Sequence, residues 1–165
     1  MWTVIKFDKK KFHLLKEDLK KKLGNEHVLY RPKIIRQVYK KNKLINREAY
    51  ILGDYLFCFH KNFEKEDVIK QLKFLRGLKY FLSGFKEFQV DLKNFINKCK
   101  ELENEKGFIT GNLFEINEHS NYKFYSGPFV EKIFKIVNFN NNNLNILIGN
   151  IKTRINKKDF LFKPI

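Results

Sequence analysis

The stretch from Ile133 to Ile155, IFKIVNFNNNNLNILIGNIKTRI, constrains this chain more than any other. Its β-branched and aromatic residues suit a pleated, half-buried surface. A turn signal cuts it, four successive asparagines at 140–143, a residue type that accepts tight backbone turns at low steric cost. Shorter runs precede it: FEI at 114–116, YKFY at 122–125 and the turn pair Gly127-Pro128. Short strands at this spacing predict a small β-barrel over residues 114–165.

The first part of the chain mixes two periods. WTVIKF reads as an opening strand, and KKKFHLLKEDLKKKL then repeats Phe12, Leu15, Leu19 and Leu23 at helical spacing, ending near Gly24. VLYRPKIIRQVY is extended around Pro32, since a proline disfavours helix in the residue before it. AYILGDYLFCFH gives a dense strand signal turned at Gly53-Asp54, FEKEDVIKQLKFL returns to helical spacing, RGLKYFLSG is a turn with a short strand, and DLKNFINKCKELE closes with a helix. This order predicts an α/β sandwich over residues 1–103, with one layer of helices on a mainly antiparallel sheet. A linker at 104–113 follows, where ELENEKG concentrates acidic charge.

Of the net charge of +16, residues 1–100 hold +14 and residues 101–165 only +2. Such a field concentrates polyanions and steers their encounter. Lys9, Lys10, Lys11, Lys16 and Lys20 follow the first strand and helix, as either a solvated face or a phosphate-contacting one. Arg76 stands beside Lys73 and Lys79, and its planar guanidinium suits a directed bond to a phosphate or base, or a structural salt bridge. Tyr50, Tyr55, Phe57 and Phe59 crowd one strand region; core packing accounts for at least one or two, and an exposed remainder would suit the side of a partner helix.

Other chemistry is poorly represented. The histidines at 13, 27, 60 and 119 share no ligand spacing, and neither Cys58 nor Cys99 has a CxxC partner, so no metal site is expected. Cys58, inside YLFCF, reads as a small core residue. There is no glycine-rich phosphate loop and no nucleophile elbow, which argues against an enzyme and against a cofactor. No apolar run approaches the length of a membrane span. A cytoplasmic, monomeric binding protein is the expectation.

Trp2 in the first strand, YRP at 30–32, YILGDYLFCF at 50–59, RGLKYF at 76–81 and YSGPF at 125–129 occur in an order that resembles the NusG family of transcription elongation factors. The resemblance implies an N-terminal NGN domain and a C-terminal SH3-like KOW barrel. It implies binding to the clamp helices of the largest RNA polymerase subunit, with suppression of pausing. On it, Tyr55 and Phe57 fall on the polymerase-contacting strand, Arg76 at a place used for upstream or non-template DNA, and the second domain recruits ribosomal protein S10 or the termination factor Rho. Two departures stand out: Gly53-Asp54 replaces the usual Pro-Gly, and Phe134 replaces a glycine of the KOW turn formed with Gly127, Pro128 and Phe129. Phe134 and the compact length are closer to the specialised, RfaH-like antitermination branch, whose C-terminal domain is an α-hairpin or a β-barrel. Local propensity here favours the barrel. The alternative function is an RNA- or ribosome-binding KOW protein that acts without polymerase.

Overall fold

A computed structural model describes residues 1–165. It is a mixed α/β chain that divides into two compact units: Met1–Pro32 with Tyr50–Lys98, and Lys33–Ala49 with Cys99–Ile165. No helix is long and apolar enough to cross a membrane.

In the first unit, four strands form an antiparallel sheet in the order β2-β5-β1-β6, with β1 at Trp2–Phe7, β2 at Val28–Tyr30, β5 at Tyr55–Phe59 and β6 at Leu78–Phe81. Strand residues alternate between faces, so each face collects its own set. Ile5, Phe7, Leu56 and Cys58 point to one side and pack with Leu15 and Leu19 of helix α1 (Phe12–Leu23) and Leu72 of α2 (Glu66–Leu72). Burial there pushes the Cys58 thiol up to about 12, which fits a core residue. Val4 and Phe57 point to the other side and pack with Ile96 of α3 (Gln89–Glu101). The expectation of a single helix layer is therefore corrected: α3 covers the face opposite α1 and α2. Its apolar stripe, Leu92, Phe95 and Ile96, packs against the aromatic side of the sheet and Leu52.

Gln89 completes this sheet in an unusual way. Strand β6 ends at Phe81, leaving the Trp2 backbone beyond its reach. The Gln89 side chain accepts from Trp2 N (2.9 Å) and donates to Trp2 O (2.7 Å), as a neighbouring strand would.

The second unit contains a hairpin absent from the sequence expectation, β3 (Lys33–Lys40) and β4 (Lys43–Tyr50, all but its last residue in this unit). Lys41 and Asn42 turn it, both with positive φ (50° and 60°), the backbone that two-residue hairpins require. Main-chain bonds join it to later residues of the same unit: Gln37 N donates to Tyr125 O, and Ile109 N donates to Lys33 O. The segment expected to be a linker is thus hydrogen-bonded within this unit, and Asn112 holds Lys157 O, Phe160 O and Phe162 N.

Residues 121–164 form a five-stranded antiparallel sheet, β10-β9-β8-β7-β11, from β7 (Asn121–Phe124), β8 (Ile133–Asn140), β9 (Asn143–Ile148), β10 (Ile151–Asn156) and β11 (Phe162–Pro164). Its core contains no helical residue: Tyr122, Phe124, Phe134, Ile136, Leu144, Ile146, Ile155 and Phe162 bury one another. The asparagine run turns β8 into β9, with Asn141 at φ 50°.

Candidate functional site

Helix α3 covers only part of the aromatic sheet face. In register, Trp2 lies opposite Phe59, Val4 opposite Phe57, and Lys6 opposite Tyr55. Phe57 is 4% exposed, stacked near Tyr30 at 6.2 Å and tilted against Phe95 at 5.8 Å. The expectation that it offers itself to a partner is corrected: Leu92, Phe95 and Ile96 occupy the space above that face. Tyr55, two residues earlier, is half-buried, and Tyr80, opposite Lys6 on the other neighbouring strand, is 45% exposed.

These residues form a polar end to an aromatic face. Lys6 Nζ donates to the Tyr55 hydroxyl at 3.2 Å and lies over its ring at 4.7 Å, and the Tyr55 and Tyr80 hydroxyls are 3.1 Å apart. The Tyr55 phenol is lowered from its ordinary pKa by the bond from Tyr80 and then by that from Lys6, whereas Tyr80 is raised, first by the same bond to Tyr55. The Tyr55 oxygen accepts from Lys6 and shares a hydrogen bond with the Tyr80 hydroxyl, so the three polar groups form one connected network. The arrangement suits a polar group set within an apolar contact.

A second constellation lies at one corner of the same unit. Lys9, Lys10 and Lys11 form a 3-10 turn capped by Asp8, whose carboxylate accepts from Lys10 N. Asp8 N donates to Gly77 O at 2.8 Å. A Cβ on Gly77 would stand 2.7 Å from Lys11 O, and φ is +80°, so the close approach of the two turns requires glycine. The RGL turn is thereby brought against the lysine turn. Lys9, Lys10, Lys11, Lys16, Lys20 and Lys73 are all exposed. Lys79 stands 3.9 Å from Asp54.

Arg76 takes the structural one of its two readings. Its Nε and Nη2 donate to the two Asp18 carboxylate oxygens at 3.0 and 2.6 Å, and its backbone N donates to the same carboxylate at 3.1 Å. These bonds hold the Asp18 carboxyl down at about 2. The guanidinium is directed at α1 and fastens the RGL turn to it; Lys9, Lys10 and Lys11 are left as the corner's exposed charge.

In the second unit, Phe134 is 1% exposed and stacks on Phe124 at 4.2 Å between ring centres. It is core, and not part of a recognition turn. Gly127 has φ +83°, and its N–H donates to Gln37 Oε1 at 2.7 Å; Pro128 is exposed, and Phe129 packs partly against the core. Sequence reasoning missed Tyr80 as a partner of Tyr55 because it comes from a different strand. In RGLKYF the exposed Lys79 and Tyr80 are adjacent, between the half-buried Leu78 and Phe81, so no alternation marked Tyr80 in advance.

No protein-family model matches the chain, and no curated protein matches it. Among solved structures it is similar to the MjSpt4:Spt5 complex in conformation B, at 11% identity over 100% of this chain and 97% of that one, with a TM-score of 0.29. It is also similar to NusG of Thermotoga maritima, in a structure of its domain interaction, at 16% identity over 94% of this chain and 91% of that one, with a TM-score of 0.34. With TM-scores this low, the functional reading rests on this chain's own residues.

Proposed function

We propose that this protein is a non-enzymatic transcription elongation factor of the NusG kind, which binds RNA polymerase through the sheet face of its first unit. The observation that carries the proposal is the accessible Lys6–Tyr55–Tyr80 end of the aromatic face, whose Tyr55 lies on the strand that the sequence resemblance marks as polymerase-contacting. The contact is narrower than the sequence suggested: Tyr55 and Tyr80 meet the clamp helices, and Phe57 supports them from below. Lys9, Lys10 and Lys11 follow upstream or non-template DNA by charge alone, which positions a protein without reading bases. Suppression of pausing, antitermination of the RfaH-like kind, and recruitment of ribosomal protein S10 or Rho by the five-stranded unit complete the proposal, in a cytoplasmic setting.

Capture of purified core polymerase by the immobilised protein tests it. Tyr55→Ala with Tyr80→Ala is expected to reduce capture at least tenfold with an unchanged melting temperature, whereas Phe57→Ala lowers the melting temperature as well. Absence of capture by the folded wild-type protein would sink the proposal. RNA binding with no effect on transcriptional pausing would favour the reading as an RNA- or ribosome-binding protein, which the exposed lysine turn supports on its own.

A further inference from the structure

Dividing the charge by folded unit alters the picture drawn from the linear sequence. The β3–β4 hairpin carries six basic residues and one acidic residue into the second unit, so each unit holds +8. This basic charge meets a concavity. Arg36, Lys40 and Arg47 of the hairpin and Lys132 of the segment before β8 line one groove of about 690 Å³, with Tyr39 at its edge 58% exposed. The one carboxylate in the lining is Glu131, 3.8 Å from Arg36 and shared with Lys123 at 3.9 Å. Four cations line the groove against one carboxylate, which already pairs with Arg36 and with Lys123 outside the lining, so the groove carries a net positive charge. That charge attracts an anion into the groove.

We infer that this groove is a binding site for single-stranded nucleic acid, distinct from the lysine turn of the first unit. The cations track successive phosphates, and the exposed Tyr39 ring offers a surface for an unpaired base, a contact worth a factor of about five to over a hundred in affinity. A duplex keeps its bases stacked inside and has no use for Tyr39, so the groove favours an unpaired strand. The inference does not depend on polymerase binding.

Fluorescence anisotropy of the full chain with a labelled oligouridylate, over a series of salt concentrations, tests it. R36Q with R47Q is expected to weaken binding about tenfold at low salt and to reduce the salt slope by about 1.4, the change for two lost phosphate contacts on a single strand. Y39A is expected to weaken binding about fivefold or more with the slope unchanged. E131Q, which removes the one carboxylate from the groove, is expected to tighten binding severalfold. Each variant's melting temperature is checked against wild type, and Y39A, at an exposed ring, keeps the test valid if an arginine change unfolds the hairpin. Unaltered affinity in folded R36Q/R47Q and Y39A would overturn the inference, as would loss of binding only when Lys9, Lys10 and Lys11 are changed to Gln. Preference for duplex DNA, an acidic peptide or anionic vesicles over oligouridylate would overturn it too. Polymerase capture measured on the same variants separates this outcome from that of the proposed function.

Discussion

The two units reach a buried core by different routes. In the first, a four-stranded sheet has apolar residues on both faces, and helices cover each: α1 and α2 on one side, α3 on the other. In the second, a five-stranded sheet buries one face, and its core is made of strand residues alone. A sheet covered by helices tolerates a lost side chain if a helix can settle into the space. A sheet folded over its own aromatic cluster has no separate layer to move.

The sharpest test of that difference is to truncate one large ring in each unit. Phe134→Ala is expected to cost about 3–5 kcal/mol, the range for a fully buried phenylalanine, because its ring is shared with Tyr122, Phe124 and Phe162. Phe57→Ala is expected to cost less, since α3 can move toward β5. Urea denaturation of both variants decides it, and equal costs would remove the distinction. Gly127→Ala comes next, at about 1–3 kcal/mol for a side chain held at positive φ, because a Cβ there would also stand 2.5 Å from the Phe160 ring. Gln89→Ala follows at about 1–2 kcal/mol, the effect of leaving main-chain groups of Trp2 without their partner; hydrogen exchange at the Trp2 amide is expected to rise with it.

The smallest effect is in acid. Asp18 has its pKa lowered in the folded chain from 3.8 to about 2, first by the Arg76 hydrogen bonds. Its contribution is therefore complete above pH 3.8 and is lost as pH falls through about 2. Asp18→Asn is expected to flatten the stability profile in that window and to leave the profile above it parallel to wild type. An unchanged acid limb would mean that the RGL turn is held by something else.

Much of this architecture was legible in the residues. Leu15 and Leu19 repeat at helical spacing and are buried, and the asparagine run marks a hairpin that is present. Three features were not. KLINREAY lacks the alternation of a half-buried strand, so β4 was overlooked, and with it the hairpin's transfer of charge to the second unit. The periodicity of α3 showed an apolar stripe but not which sheet face it would cover, and that choice is what buries Phe57. For Arg76, composition could not separate a phosphate ligand from a salt bridge; the answer depended on where α1 placed Asp18, 58 residues away.

The burial of Cys58 has a practical consequence. A thiol whose pKa stands at about 12 is almost entirely un-ionised at neutral pH, and Cys99 is equally enclosed. Maleimide reagents will therefore pass over both native thiols in the folded protein. A cysteine introduced at Tyr39 or Tyr80 is the one that reacts, so a spin label or fluorophore can be placed on either proposed contact surface without first making a cysteine-free background.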